Sequence, residues 1–316
     1  MKFKKPYFWD LPKPNIISYL LIPLTLPIII RNFIFNYIKK KRSSKIKTIC
    51  VGNIYIGGTG KTPLTIKIYE ILNALNTKVA TVKKNHFNQV DEQLLLEKKT
   101  SLIVSKTRES AIKQGIDEKY KILIFDDGLQ ETKIDYDLKL VCFKSKVWIG
   151  NGQYIPAGPL REKISSLKKF DVVFLNGYSD DYSNIEKQIK NVNPNIKIFR
   201  TSYKITNISS YDLKSKYLIF SGIGNPDNFK NILLKKNFII IDELIFPDHY
   251  NYNESDIHNI LEKAKNSNAK IITTEKDFVK IPIKFQKDIN CLNIDLKILE
   301  EVKLLNFLKS KLNEKF

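Results

Sequence analysis

Residues 48–62 read Thr-Ile-Cys-Val-Gly-Asn-Ile-Tyr-Ile-Gly-Gly-Thr-Gly-Lys-Thr, a short apolar run followed by a glycine-rich loop. Apolar residues at helical spacing come next, so the loop joins a predicted strand to a predicted helix. Such a loop binds phosphate through backbone N–H groups, a lysine charge and a hydroxyl for Mg²⁺. The predicted nucleotide-binding residues are Gly57, Gly58, Thr59, Gly60, Lys61 and Thr62. Tyr55 stands where the usual pattern has glycine, so a fortuitous glycine-rich turn is the alternative.

A pair of acidic residues, Asp126 and Asp127, follows the apolar run 121–125 and precedes Gly128. Acids at the end of a buried strand lie at its C-terminal edge, where they reach a Mg²⁺ ion beside a phosphate loop. We therefore predict that Asp126 and Asp127 bind Mg²⁺ together with Thr62. An ordinary Asp-Gly turn is the alternative interpretation.

Two further places carry candidate catalytic groups: the pair Asp91-Glu92, and His249 ahead of a predicted helix. A kinase needs a base that takes the proton of the acceptor hydroxyl. The residues alone leave structural roles open, because acids also stabilise the start of a helix.

The chain after residue 45 alternates short apolar runs with segments of helical periodicity, which predicts a largely parallel, helix-covered α/β fold. The predicted strands are Thr48–Gly52, Val79–Val82, Ile122–Phe125, Leu138–Phe143, Val172–Leu175, Tyr217–Ser221, Phe238–Ile241 and Lys270–Thr273. A last helix is predicted to present one apolar stripe made by Ile298, Val302, Leu305, Leu308 and Leu312.

Composition narrows the function classes only partly. The 316 residues contain 53 Lys and Arg against 33 Asp and Glu, a net charge of +20, which favours an anionic partner. Compositional drift in a chain rich in Lys, Asn and Ile is the alternative. Three widely spaced cysteines and three histidines argue against a disulfide framework and a structural zinc site.

The apolar run from Ile16 to Ile30 contains two prolines and stops at Arg31. It is short for a bilayer span, and the prolines are expected to break a continuous helix. Aromatic residues flank it and a basic cluster follows, so we predict a segment that lies in a membrane interface. A buried helix, a true span and a signal segment are the alternatives. The basic cluster consists of Lys39, Lys40, Lys41, Arg42, Lys45 and Lys47.

Taken together, the motifs resemble those of tetraacyldisaccharide 4'-kinases, the lipid A 4'-kinases of Gram-negative bacteria. Besides the glycine-rich loop, Asp91-Glu92 and Asp126-Asp127-Gly128-Leu129-Gln130, the resemblance rests on residues 6–9 (PYFW), 156–162 (PAGPLRE), 222–226 (GIGNP), 246–249 (FPDH) and 273–277 (TTEKD). It extends over nearly the whole chain, and the combination of these motifs is highly specific.

The resemblance implies ATP-dependent phosphorylation of the 4'-hydroxyl of a tetraacylated glucosamine disaccharide 1-phosphate, giving lipid IVA, with Mg²⁺ as cofactor. It implies action at the cytoplasmic face of the inner membrane. The sequence does not reveal the oligomeric state, and we expect a monomer with no nucleic-acid partner and no obligate protein partner. It also implies a P-loop NTPase-like core with a second, smaller α/β domain closing an active-site cleft. We expect residues 1–42 to associate with the membrane, 43–142 to form the core, completed by 292–316, and 143–291 to form the second domain.

The same resemblance assigns roles to single residues. Lys61 matches the residue that contacts the β- and γ-phosphates, Asp91 the catalytic base, and His249 the histidine that assists it. Metal and catalytic network positions match Glu92, Asp126, Asp127 and Gln130, and basic residues near the phosphates match Arg161 and Arg108.

The chain departs from the family pattern at two places. Residues 83–89 replace a Ser-Arg-Gly-Tyr-Gly-Arg stretch, and within 131–136 Glu131 and Tyr136 replace a usual histidine and arginine. These changes leave intact the glycine-rich loop, the expected base and the acidic residues expected to bind the metal. They put in doubt the nucleotide and acceptor contacts near residues 83–89 and 131–136. His86 either replaces one of the lost contacts or is a solvated histidine in a loop.

Three other functions stay open at this point. A P-loop kinase for another lipid or sugar differs only in its acceptor. A membrane-recruited ATPase switch has water as acceptor and gives no role to Asp91 and His249. Nucleic-acid binding rests on charge alone, without a recognition motif.

Overall fold

The computed structural model describes residues 5–38, 45–85, 90–131, 133–177 and 179–312. The strands are β1 (Lys47–Gly52), β2 (Val79–Lys84), β3 (Leu102–Ser105), β4 (Ile122–Asp126), β5 (Leu138–Lys144), β6 (Val172–Asn176), β7 (Lys197–Ile205), β8 (Lys216–Ser221), β9 (Ile239–Ile245), β10 (Lys270–Thr274), β11 (Asn290–Leu292) and β12 (Ile294–Ile298). The helices are α1 (Ile16–Leu21), α2 (Leu26–Tyr37), α3 (Lys61–Asn73), α4 (Val90–Lys99), α5 (Arg108–Asp117), α6 (Tyr182–Val192), α7 (Pro226–Leu234), α8 (Glu254–Asn266), α9 (Glu275–Phe278), α10 (Ile283–Gln286) and α11 (Glu301–Leu312). All eight predicted strands are present, and the predicted α/β class is confirmed.

Strand β1 lies inside an eight-stranded sheet with the order β12-β7-β6-β5-β1-β4-β2-β3. It pairs in parallel with β4 on one side and with β5 on the other. The central strands are continuous apolar runs because helices cover both faces of a parallel sheet. Their side chains form one core that extends from Ile46 to Ile196.

A second sheet has the order β11-β10-β8-β9, again with parallel pairing. Its two faces carry separate apolar clusters, one around Phe220 and Ile257 and one around Tyr217 and Phe229. Helix α8 begins with a capping box in which the side chains of Asn253 and Asp256 each accept a backbone N–H of the other residue.

The chain divides into two compact units, and the boundaries differ from the predicted ones. The first unit comprises residues 1–85, 100–202 and 296–316, and the second comprises 86–99 and 203–295. The predicted boundary at 142/143 falls inside β5, which continues the first sheet, so residues 143–202 belong to the first unit. The insertion 86–99, which contains α4, was not predicted.

The last helix also differs in detail from the prediction. Ile298 ends β12 instead of belonging to the helix, and Val302 is 71% exposed. Helix α11 starts at Glu301, so its buried side chains are Leu304, Leu308 and Leu312, at a spacing of four residues. Lys67 of α3 forms an ion pair with Glu301 (3.0 Å) within the first unit.

The N-terminal apolar segment is helical through its prolines, contrary to the predicted break. Pro23 lies in the first turn of a 3-10 helix, Ile22–Thr25, and Pro27 lies in the first turn of α2. A first-turn proline loses no intrahelical hydrogen bond, because that N–H has no partner in a helix. The run Ile16–Phe35 has a mean hydropathy of 1.7, is mostly exposed, and is long and apolar enough to cross a membrane. Lys39–Arg42 of the basic cluster lie outside the described residues.

Residues 8–18 are anchored by hydrogen bonds to residues 151–157. Trp9 is 1% exposed, and its indole N–H donates to the carbonyl of Pro156 (3.0 Å). Asn151 donates to the carbonyls of Phe8 (3.2 Å) and Ala157 (3.0 Å) and to the hydroxyl of Ser18 (2.9 Å). The first motif of the chain therefore packs against the loop that leads to Arg161.

Candidate active site

The glycine-rich loop lies between β1 and α3, as predicted. Gly57 (φ +112°) and Gly60 (φ +91°) adopt the left-handed backbone that L side chains rarely adopt, and Gly60 caps the N-terminus of α3. A Cβ atom added at Gly57 or Gly58 would meet no heavy atom within 4 Å, so the loop leaves open space. The helix start and the open loop together suit an anion.

Two asparagines that sequence reasoning missed hold the loop in shape. The Asn53 amide donates to the carbonyl of Gly57 (3.1 Å) and to the hydroxyl of Thr59 (3.0 Å). Asn176, at the end of β6, donates to the carbonyl of Thr59. Their positions, directly after β1 and at the end of β6, the next strand but one, are the signal that could have identified them.

Asp126 ends β4 and is 2% exposed. Its Oδ2 accepts from the Thr62 hydroxyl (3.1 Å) and from the Lys83 ammonium (2.7 Å). Its Oδ1 accepts from the Thr65 hydroxyl (3.3 Å). The structure thus brings the predicted metal residues Thr62 and Asp126 together and adds Lys83, which the sequence analysis did not single out as a site residue.

Asp127 follows in a left-handed conformation (φ +57°), and its N–H donates to the carbonyl of Val51 (2.8 Å). Its carboxylate lies between two cations, with Oδ2 3.6 Å from Lys61 Nζ and Oδ1 3.5 Å from Arg161 Nη1. Oδ1 is buried and has no hydrogen-bond partner among the described residues. This oxygen therefore meets Arg161 as an ion pair and keeps its hydrogen-bonding capacity for a metal ion.

Gln130 and Arg161 are tied to the residues that precede the loop. The Gln130 amide donates to the carbonyl of Asn53 (2.9 Å) and accepts from Arg161 Nη1 (3.2 Å). The backbone N–H of Arg161 donates to the carbonyl of Ile54 (2.7 Å). The guanidinium is thereby held beside Asp127.

Arg108, at the start of α5, donates to the Asp127 carbonyl (2.6 Å) and to the Glu131 carboxylate (2.9 Å). Glu131, one of the divergent residues, therefore has a structural partner. Tyr136, the other, is 3% exposed and packs against Phe125, with 5.1 Å between ring centroids. Glu131 and Tyr136 thus each have a partner within the first unit, while His86 lies outside the described residues.

The second unit contains the predicted catalytic residues Asp91 and His249. Asp91 lies in the first turn of α4 and is 1% exposed, and both its oxygens lie within hydrogen-bond distance of His249 Nδ1, at 2.8 and 2.9 Å. His249 has φ +58°, and its N–H donates to the carbonyl of Gly222 (3.0 Å). The imidazole is partly exposed, so the pair combines a buried carboxylate with an accessible ring.

The two groups shift each other's pKa. Burial raises the pKa of Asp91, but the hydrogen bond from His249 and the nearby charge of Lys276 outweigh burial and hold it below its usual value. The hydrogen bond to Asp91 raises the pKa of His249 above its usual value, against the effect of burial. The pair is therefore stabilised as carboxylate and imidazolium.

Glu92, predicted as a metal ligand, forms an ion pair with Lys276 (2.8 Å) within the second unit. Lys276 belongs to the motif Thr273–Asp277, and sequence reasoning gave it no role. Two ionic contacts thus link α4 to α9, since Lys99 also pairs with Glu275 (2.6 Å). Among the described residues, no three His, Cys, Asp or Glu side chains form a metal-binding group by themselves.

Comparison with known proteins identifies the family. The family model described as tetraacyldisaccharide-1-P 4'-kinase matches residues 19–313. A relative from Pelagibacter ubique (strain HTCC1062), named tetraacyldisaccharide 4'-kinase, is 47% identical over 100% of both chains. A relative of the same name from Rickettsia canadensis (strain McKiel) is 34% identical over 94% of both chains.

A solved structure has the same fold. It is described as the "apo" form of LpxK from Aquifex aeolicus in complex with ATP, and it superposes with a TM-score of 0.70 at 21% identity. The match covers 94% of this chain and 100% of the other.

Proposed function

We propose that this chain, which belongs to the tetraacyldisaccharide 4'-kinase family, transfers the γ-phosphoryl group of ATP to the 4'-hydroxyl of a tetraacylated glucosamine disaccharide 1-phosphate. The observation that carries the proposal is the Asp91–His249 pair, in which a buried carboxylate is hydrogen-bonded to an accessible imidazole. An ATPase switch needs no such pair, whereas a kinase needs a proton acceptor for its alcohol substrate.

The first unit supplies the nucleotide site. Backbone N–H groups of the loop and the start of α3 would hold the phosphates, with the Lys61 ammonium as a fixed positive charge. Arg161 adds a second cation beside Asp127, 3.5 Å from its Oδ1. Both cations lie beside Asp127, and fixed positive charge at this position stabilises charge that develops on a transferred phosphoryl group.

The residues present also fit a Mg²⁺ ion. The Thr62 hydroxyl and Asp126 Oδ2 lie 3.1 Å apart, and the buried Asp127 Oδ1 has no hydrogen-bond partner in the described part of the chain. Protein Mg²⁺ sites commonly use one or two carboxylates and complete the shell with substrate phosphate and water. When bound, Mg²⁺ would neutralise charge on the β- and γ-phosphates.

The proton of the acceptor hydroxyl passes to the Asp91–His249 pair as the oxygen attacks the γ-phosphorus. Asp91 is the base, and the His249 hydrogen bond orients it and stabilises its charge. Transfer is direct and in line, without a phosphoenzyme. The ADP oxygen leaves as the new phosphate ester forms.

The N-terminal helix would bring the enzyme to its lipid acceptor. Leu20, Leu24 and Phe33 are each more than half exposed, so the segment offers an apolar surface to acyl chains. The Asn32 side chain donates to the Arg161 carbonyl (2.8 Å), which ties α2 to the loop carrying that arginine. The basic cluster favours an anionic surface, in agreement with a peripheral or monotopic position on the cytoplasmic face of the inner membrane.

The test is a detergent-micelle assay with γ-labelled ATP and tetraacyldisaccharide 1-phosphate. We expect label in a lipid product with the wild-type chain, and none with Lys61→Ala or without lipid. ATP consumption without labelled lipid would instead favour another acceptor or an ATPase.

A further inference from the structure

A buried lysine lies beside Asp126, one of the residues expected to hold Mg²⁺. Lys83 is 2% exposed, and its ammonium lies 2.7 Å from Asp126 Oδ2, whose own side chain is fully buried. Lys84, the next residue of β2, is exposed because successive strand residues point to opposite faces. A buried charge is costly unless it is paired, so this lysine is fixed in place by Asp126.

The oxygen that pairs with Lys83 is the one that faces Thr62. Asp126 Oδ2 accepts from the Thr62 hydroxyl as well as from the ammonium, and Oδ1 accepts from Thr65. A Mg²⁺ ion held by Thr62 and Asp126 would therefore share its carboxylate with a positive charge already present. Two cations on one carboxylate in a dry site repel each other, so each weakens the binding of the other.

We propose that Lys83 is a fixed cation that stands in for part of the metal charge at this loop. ATP then binds appreciably without Mg²⁺, and Mg²⁺ binds the ATP complex more weakly than it would if Asp126 were free. The inference rests on the proposed function only in taking ATP as the ligand. It concerns the coupling between nucleotide and metal, which can be measured without any phosphoryl transfer.

The experiment is calorimetric titration of ATP into the full chain, first with EDTA and then at a series of Mg²⁺ concentrations. The test variant is Lys83→Met, which keeps the length of the side chain and removes the charge. We expect its ATP affinity in EDTA to fall about tenfold, because Asp126 then keeps an uncompensated negative charge beside the phosphate loop, and we expect its Mg²⁺ midpoint to fall by a similar factor. Lys83→Arg should behave as the wild type does.

Lys84→Met is the matched control, because it removes the same charge from the neighbouring, solvent-facing position. A purely structural ion pair predicts that Lys83→Met lowers the melting temperature but leaves the ratio of ATP affinities with and without Mg²⁺ unchanged. That unchanged ratio, or an equal shift in Lys84→Met, overturns the inference.

The wild-type chain gives a second, independent measurement. We expect chelation of Mg²⁺ to weaken its ATP binding by no more than about tenfold. A loss of more than about a hundredfold would overturn the inference even if Lys83→Met does not fold. Absence of ATP binding at every Mg²⁺ concentration would instead contradict the proposed function and, with it, this inference.

Discussion

Replacement of Asp91 by asparagine tests the proposed chemistry directly. The carboxylate is 1% exposed and accepts from His249 Nδ1 at 2.8 Å, so asparagine keeps the shape and removes the charge and the basic oxygen. General-base catalysis contributes roughly 10²–10⁴-fold, or about 2.7–5.4 kcal/mol at about 1.36 kcal/mol per factor of ten. We expect kcat to fall within that range.

The assay separates this effect from damage to the nucleotide site. Asp91 belongs to the second unit and the phosphate loop to the first, so ATP affinity measured by calorimetry should stay at the wild-type value. The pKa of His249, measured by NMR, reports directly on the contact with Asp91. The hydrogen bond to Asp91 is the main cause of the raised pKa of His249, so this pKa should fall towards its ordinary value in Asp91→Asn. His258→Gln, at an exposed histidine of the same unit, is the control and should change neither rate nor ATP affinity.

Two results would refute this reasoning. If Asp91→Asn retains more than about a tenth of the wild-type kcat, Asp91 is not the base. If Asp91→Asn and His249→Asn reduce kcat by factors that simply multiply in the double variant, the two residues do not act as one unit. Asparagine is the appropriate replacement at 249 because it tolerates the left-handed backbone found there.

Three further predictions follow from the described contacts. The His249–Asp91 contact should stabilise the fold by about 1.5–3 kcal/mol between pH 3.8 and 6.5, the ordinary pKa values of the two groups. That contribution should fall as pH drops through the lowered pKa of Asp91 and as pH rises through the raised pKa of His249. The difference in unfolding free energy between wild type and His249→Asn, measured by urea unfolding, should therefore shrink above pH 6.5, and a difference that grows with pH there would contradict this prediction. The double variant Leu24→Glu, Phe33→Glu should co-sediment less with anionic vesicles than the wild-type chain does. Its melting temperature should not change, since both side chains are exposed. Unchanged co-sedimentation would count against the N-terminal helix as a membrane anchor. Trp9→Ala should lower the free energy of unfolding by about 3–5 kcal/mol, because the indole ring is buried and its N–H donates to the carbonyl of Pro156. A loss below about 1 kcal/mol would show that residues 6–9 do not anchor this part of the chain to the first unit.

The parts of the fold that the sequence predicts well are those with local signals. The apolar run before the glycine-rich loop predicts β1, and the glycine spacing predicts the start of α3, because both depend on neighbouring residues. The helix through Pro23 and Pro27 was missed for a local reason: proline breaks a helix in its interior but not in its first turn.

The contacts that the sequence cannot predict are set by sheet order. Lys83-Lys84 reads as two solvated lysines at the end of a strand, yet Val82 pairs with Phe125 across β2 and β4, so Lys83 comes beside Asp126. Likewise, the boundary predicted at 142/143 failed because β5 and β6 extend the first sheet beyond β1. Strand order depends on packing between distant segments, which no local pattern encodes.

The Asp91–His249 pair shows why the insertion matters for the proposed function. Asp91 and His249 are 158 residues apart, and they meet because residues 86–99 leave the first unit and join the second. Helix α4 is fixed there by the Glu92–Lys276 and Lys99–Glu275 ion pairs, so Asp91 and His249 belong to one compact unit. The geometry of the proposed proton acceptor is then set within the second unit, while the phosphate loop, Asp126 and Lys83 lie within the first. Variants of Lys276 should therefore alter the pKa of Asp91 and leave the coupling between ATP and Mg²⁺ unchanged, and variants of Lys83 should do the reverse.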